Sequence, residues 1–211
     1  MRKTDIYSYL SLIFSVFLKL ILISLLLISV LTQNWLWVLF GSIMTIISFI
    51  PLFLKIFYKM HIPWVIDFLI TIALIFHIGD GVFFVSNFLP IYNKFTHFFS
   101  SAVVGSILLV SLYVIDECSD EINFSTFRLL LDVLVVTISF GVLWEFMEWT
   151  SDTFFGFNTQ LGLQDTMMDL LSDSLGALLI VLFGYYLVKE SKLKNMTKDI
   201  RKKFNLYFCD K

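Results

Sequence analysis

Long apolar runs separated by short polar breaks dominate the pattern of this chain. Residues 20–54 contain no charged side chain, although about 20 apolar residues are enough to cross the hydrocarbon layer of a membrane. Each run is expected to be helical, because a segment in lipid must satisfy its own backbone hydrogen bonds. The pattern therefore predicts six spans: Leu10–Leu31, Trp35–Phe57, Pro63–Val85, Phe95–Ile115, Phe127–Trp149 and Thr166–Val188.

The composition supports the same interpretation. Apolar residues make up 58% of the 211 residues and charged residues only 15%, whereas about a quarter of an ordinary soluble domain is charged. No basic patch interleaved with aromatic residues is present, which argues against a nucleic-acid partner. We predict an all-α polytopic transmembrane bundle in the cell membrane, in contact with lipids, with one domain over 1–188 and a basic cytoplasmic tail over 189–211.

The distribution of lysine and arginine predicts the orientation of the chain. Six spans place both termini on one side, and that side holds every cation in the loops and tails except Lys94. Because cytoplasmic loops are enriched in lysine and arginine, both termini are predicted to be cytoplasmic. Cys118 and Cys209 then lie in the cytoplasm as free thiols.

Four further charged residues fall near the predicted inner face. Lys19 lies within the first span and is expected to extend its ammonium to the inner interface. Arg128 and Asp132 are four residues apart in a helix, a spacing typical of an ion pair. With Asp67 they are expected to form a structural set of charges.

Carboxylates recur on one face of each of the last two spans. The stripes consist of Glu145, Glu148 and Asp152 in the fifth span and Asp165, Asp169 and Asp173 in the sixth. Spacings of three, four and seven or eight residues place side chains on one helical face. About a dozen residues connect the spans, so we expect antiparallel neighbours whose stripes face a shared cavity at the outer surface.

Histidines and one further aspartate are predicted at a similar depth. His77 and Asp80 end the third span, and His97 begins the fourth. Charged groups within membrane segments cost roughly 2.5–3.5 kcal/mol each on insertion scales and usually mark function. The structural alternative is interfacial water around Asp152 and Asp165, and an ordinary interior hydrogen bond for His77.

Three strings of residues resemble the YjdF-like inner-membrane proteins. The strings are Tyr92 followed by His97-Phe98-Phe99, then Trp144-Glu145-Phe146-Met147-Glu148-Trp149, then Asp165-Thr166-Met167-Met168-Asp169 with Gly176-Ala177. The similarity covers mainly residues 77–180, and the last string is also distantly similar to VanZ-like membrane proteins. The resemblance implies a small polytopic membrane protein of prokaryotic type.

The resemblance also implies which polar positions matter. The residues that match the polar positions of the family are His97, Glu145, Glu148, Asp165 and Asp169. Asp80, Asp152 and Asp173 depart from the family pattern, which argues against them as site residues.

These residues predict a pocket that faces the outer leaflet and holds a divalent metal ion. The predicted ligands are His97, Glu145, Glu148, Asp165 and Asp169, and the predicted catalytic residues are His97 and Glu148. Carboxylates suit magnesium, manganese or calcium, and imidazole adds affinity for zinc or iron.

Three functions fit this pocket. The first is a metal-dependent enzyme that acts on a lipid or lipid-linked substrate. The second is a non-catalytic accessory protein with a structural cation site. The third is a small carrier coupled to protons or sodium, which would need to act as a homo-oligomer because six spans show no inverted repeat.

Overall fold

The computed structural model describes residues 3–58, 64–118, 123–198 and 200, and all regular secondary structure within them is helical. The helices are α1 (Lys3–Leu31), α2 (Trp35–Ser48), α3 (Ile50–Phe57), α4 (Trp64–Phe83), α5 (Val85–Phe88), α6 (Pro90–Cys118), α7 (Thr126–Phe155), α8 (Leu163–Lys189) and α9 (Lys192–Met196). Six helical segments are long and apolar enough to cross a membrane. The predicted all-α polytopic fold is therefore confirmed.

The second predicted span contains a break that the apolar pattern did not show. Its helix ends at Ser48 and resumes at Ile50. Pro51 follows at once, and proline lacks the N–H and clashes with the carbonyl of the preceding turn. The proline accordingly occupies the first turn of a new helix instead of the interior of a long one.

The last three spanning helices extend beyond their predicted ends. They are 29, 30 and 27 residues long. At α7 the Ser125 side chain caps the start by accepting from the Arg128 N–H, and Gly156 ends the helix with a positive φ of 70°. A prediction from apolar residues alone omits the polar turns at both ends of these helices, because a helix can continue beyond the hydrocarbon into the interfacial layer.

The chain forms two compact units, Met1–Tyr92 and Asn93–Lys211. In the first unit, Lys19 is only 2% exposed. Its ammonium lies 2.7 Å from Asp67 Oδ1 and donates to Ser15 Oγ at 2.8 Å. A carboxylate on α4 thus holds the ammonium inside the unit, and the expected extension of Lys19 to the inner interface stays a prediction.

The predicted set of inner charges takes part in two ion pairs. Asp67 is bound by Lys19 of α1. The Arg128 and Asp132 pair is confirmed within α7, with Nε and Oδ2 2.8 Å apart. The ion pair of Asp67 thus links two helices, whereas that of Arg128 stays on the surface of one.

The second unit is built from α6, α7 and α8, with α9 packed on the end of α8. Its apolar core consists of Leu109, Tyr113, Leu129, Leu130, Val133, Leu187 and Leu193. In the middle of α8, Gly176 lies against the backbone of α6, and a Cβ there would overlap the carbonyl oxygen of Phe98. This close approach holds α8 beside the turn of α6 that carries His97.

Part of the predicted cytoplasmic tail lies outside the described residues, namely residue 199 and residues 201–211 with Cys209. The described part contains α9, which follows α8 after one turn. Cys118 is buried at the end of α6. The cytoplasmic position of both termini stays a prediction.

Candidate metal centre

Three helices of the second unit each contribute one buried side chain to a common point. His97 lies on α6, Glu145 on α7 and Asp169 on α8, and one ligand atom from each lies within 4.8 Å of the others. Nε2 of His97 is 3.9 Å from Glu145 Oε1 and 3.9 Å from Asp169 Oδ1. Ligands about 2.1 Å from a tetrahedral metal are about 3.4 Å apart, so each of the two distances from Nε2 would shorten by about half an ångström.

Asp173 orients the imidazole of His97. Its Oδ2 lies 3.2 Å from His97 Nδ1, and its Oδ1 accepts from Ser101 Oγ at 2.7 Å. In the tautomer with the proton on Nδ1, this nitrogen donates to the Asp173 carboxylate. The lone pair of Nε2 is then directed towards Glu145 and Asp169, as in a carboxylate–histidine–metal arrangement.

Gly141 of α7 makes room for Asp173. A Cβ at residue 141 would overlap the carboxylate of Asp173. Asp173 is 2% exposed, so its side chain has little other space to occupy. The glycine therefore allows a carboxylate to be packed between α7 and α8 behind His97.

Glu145 has one charged neighbour in the group, His97 Nε2, at 3.9 Å from its Oε1. Both of its side-chain oxygens are buried and accept no hydrogen bond from the residues that the structure describes. A buried carboxylate without a hydrogen-bond partner is strongly destabilising, since its charge is removed from water without full compensation. The position is suited to a cation, which would be bound by Glu145 and its two neighbours.

Asp169 already has two partners on α6. Asn93 Nδ2 donates to Oδ2 at 3.0 Å, and the ammonium of Lys94 lies 2.9 Å from Oδ1. Lys94 also forms an ion pair with Asp165 and donates to its backbone carbonyl at 3.3 Å. One turn at the start of α6 thus binds two successive carboxylates of α8.

The remaining predicted ligands lie beside this group and not in it. Glu148 is half-buried, and its Oε1 accepts from Trp144 Nε1 at 2.9 Å. Asp165 is bound to Lys94. The group that brings its ligand atoms together among the described residues consists of His97, Glu145 and Asp169.

Asp152 and Asp80 organise loops. Asp152 accepts from the backbone N–H groups of Thr159 and Gln160, both at 2.8 Å, and so holds the connection between α7 and α8. Within the first unit, Asp80 Oδ1 accepts from the Ser86 N–H at 2.7 Å, after α4 has ended. The predicted common depth of His77, Asp80 and His97 stays a prediction.

The sequence contained signals for the residues that the prediction omitted. Ser101 is four residues after His97, on the same helical face, and Asp173 completes the i, i+4, i+8 stripe of α8. Lys94 is the only lysine or arginine on the predicted outer side. Asn93 and Gly141 carry no such signal, because their roles depend on which helices are neighbours.

These features define a polytopic membrane protein with a cluster of buried histidine and carboxylate groups. The family described as "Predicted membrane protein (DUF2238)" matches residues 13–190, which is most of the chain. The chain belongs to this family and is an integral, multi-pass membrane protein whose outer side chains contact lipids.

One relative is similar to part of the chain. An "Uncharacterized protein" of Thermotoga maritima (strain MSB8) is 35% identical over 86 residues, which is 40% of this chain and 43% of that protein. The chain thus matches less than half the length of this relative. No solved structure matches the chain.

Proposed function

We propose that this protein is a metal-dependent membrane enzyme that acts on a lipid or lipid-linked substrate. One divalent cation would be bound by His97 Nε2 and by carboxylate oxygens of Glu145 and Asp169. The main supporting observation is the carboxylate of Glu145, which is buried without a hydrogen-bond partner among the described residues. A cation at this point compensates its charge.

The composition of the ligand set favours a catalytic site over a purely structural one. Structural zinc sites are usually closed by four protein ligands, whereas catalytic sites keep three and leave a position for water or substrate. One imidazole and two carboxylates suit zinc, manganese or iron. A water bound at the open position would be activated as a nucleophile for hydrolysis.

The position of the cluster along its helices supports a lipid substrate. His97 is about 10 Å from the start of α6 and Asp169 about 9 Å from the start of α8, at 1.5 Å per residue. The polar layer on each side of a bilayer is about 5–8 Å deep. The cluster is therefore expected just below the headgroups, and the predicted orientation places it in the outer leaflet of the cell membrane.

Glu148 is the proposed general acid or base. It lies three residues after Glu145 on α7, so it is near the ligands without belonging to the three-residue group. The Trp144 indole holds one of its oxygens, and the other would face the substrate. The resemblance to YjdF-like proteins supports the importance of Glu145 and Glu148 together.

Metal content of the purified protein tests the site. We expect about one equivalent of zinc, manganese or iron in detergent-purified wild type, and its loss in Glu145→Gln. Glutamine retains the shape of the side chain and removes a buried charge, so the metal-free variant should unfold at no lower temperature than metal-free wild type. The matched control is Glu117→Gln, about 30 Å along α6 from His97, which should retain the metal.

Turnover separates the enzyme from an accessory protein. Mixed micelles that contain a phosphate-bearing lipid should release product with wild type, while Glu148→Gln should lose turnover and retain its metal. The proposed site would be refuted if wild type were purified without bound metal. It would also be refuted if wild type and Glu145→Gln contained equal amounts of metal. A bound metal without turnover on any phosphate-bearing or ester lipid would favour the accessory function.

A further inference from the structure

The oxygen of Asp169 that faces His97 is shared with a lysine. Oδ1 lies 3.9 Å from His97 Nε2 and 2.9 Å from the ammonium of Lys94. The same oxygen is thus the proposed metal ligand and the partner of a positive charge that belongs to the protein. A cation bound at the site must share or displace this contact.

The surroundings of Lys94 allow such a displacement. Its ammonium is paired with Asp165 as well as Asp169. Asp165 and Lys94 are 15% and 16% exposed at their side chains, whereas Asp169 is fully buried. Lysine carries its charge on a flexible four-carbon stem, so the ammonium can withdraw from Asp169 towards Asp165 without losing its second partner.

We propose that Lys94 is an internal competitor for the metal ligand Asp169 and makes the site selective for divalent over monovalent cations. This inference rests on the proposed function. In the absence of metal, the ammonium of Lys94 is the cation that compensates the charge of Asp169. Binding of a divalent ion moves the ammonium to Asp165.

The selectivity follows from the charges. A divalent ion interacts with each carboxylate twice as strongly as a monovalent ion at the same distance. Sodium at the site would replace one positive charge near Asp169 with another, and it would be repelled by the nearby ammonium. A divalent ion is also repelled twice as strongly by the ammonium, but two carboxylates attract it and one ammonium repels it, so its net attraction is twice that of a monovalent ion.

Manganese binding to Lys94 variants tests the proposal. Each metal-stripped protein is titrated with Mn²⁺ in detergent, in NaCl and in N-methyl-D-glucamine chloride at equal ionic strength. We expect Lys94→Met to bind Mn²⁺ at least tenfold more tightly than wild type, and Lys94→Arg to stay near wild type because it retains the charge. Sodium should weaken Mn²⁺ binding in Lys94→Met only. The control is Lys194→Met on α9, near the far end of α8, which should behave as wild type.

A second variant addresses the risk that Lys94→Met does not fold. Asp165→Asn removes the alternative partner, so Lys94 should remain on Asp169 and Mn²⁺ affinity should fall several-fold. In the double variant with Lys94→Met this effect should become much smaller, because no lysine remains to be redirected.

The outcomes distinguish this inference from the proposed function. Wild type that binds Mn²⁺, with Lys94→Met within twofold of it or Lys94→Arg as tight as Lys94→Met, overturns the role of Lys94 and leaves the metal site intact. No binding in either wild type or Lys94→Met overturns the proposed function. Binding in Lys94→Met alone supports Lys94 as the resident cation and contradicts a metal enzyme in the wild type.

Discussion

Single side chains on α7 and α8 decide whether the cluster can bind a cation. Glu145 and Glu148 both fit the pattern of an acidic stripe, but residues three apart point about 60° away from each other around a helix. Only Glu145 enters the buried group with His97 and Asp169. Sequence spacing places both residues on one face of the helix and cannot distinguish its centre from its margin.

Asp173 illustrates the opposite error at the same scale. The comparison with a family pattern argued against it, yet it is buried and lies 3.2 Å from His97 Nδ1. Its helical spacing from Asp169 was the better guide, because a four-residue step keeps two carboxylates on one face. A side chain that orients a proposed metal ligand can therefore lie outside the residues that carry the family resemblance.

Replacement of Asp173 tests this orienting role. We expect Asp173→Asn to lower metal affinity about 10- to 100-fold, the range typical of groups that orient a metal-binding histidine. The amide is nearly isosteric but no longer requires a proton on Nδ1. Isothermal titration with Zn²⁺ or Mn²⁺ gives the affinity, and Asp132→Asn on the surface of α7 is the control. Unchanged affinity in Asp173→Asn would contradict the orienting role.

At the scale of helices, two glycines bring α6, α7 and α8 close enough for the cluster to form. Gly176 admits the carbonyl oxygen of Phe98, and Gly141 admits the carboxylate of Asp173. Small residues serve this purpose in membrane bundles, where helices associate by close packing. The sequence predicted the six spans well, since apolar length is a strong signal, but it did not predict which helix faces approach.

Gly176→Ala tests the contact between α6 and α8. The added methyl group meets backbone and not a flexible side chain, so the helices must separate. We expect a loss of about 1–3 kcal/mol of unfolding free energy and weaker metal binding. Leu175→Ala changes a half-exposed side chain of the same turn and should cost less. Thermal unfolding in detergent measures both, and equal stability of Gly176→Ala and wild type would disprove the tight contact.

At the scale of the whole molecule, the orientation in the membrane is predicted from the uneven distribution of lysine and arginine between the loops. The helices alone do not indicate this orientation. The helical structure has six candidate spans, and their direction depends on which side the loop cations occupy. Lys94 is the only lysine or arginine on the predicted outer side. Lys94 forms ion pairs with Asp165 and Asp169. The loops on the predicted outer side therefore have little free positive charge that would keep them in the cytoplasm.

Reporter fusions test the predicted orientation. A fluorescent protein that folds only in the cytoplasm, fused after Lys211, should be bright, and an alkaline phosphatase that is active only outside should be inactive at the same position. The reverse result is expected for fusions after Phe157, in the connection between α7 and α8. An active phosphatase after Lys211 would invert the proposed location of the metal site.

The ion pair between Lys19 and Asp67 has a consequence for the synthesis of the protein. The two residues are 48 positions apart, and translation at about 5–20 residues per second separates their appearance by about 2–10 seconds. During this interval α1 carries a lysine with only Ser15 of its own helix as a partner, at a cost of roughly 2.5–3.5 kcal/mol on insertion scales. We therefore expect α1 to stay near the insertion machinery until α4 arrives, and chains that never supply Asp67 to be recognised by membrane proteases.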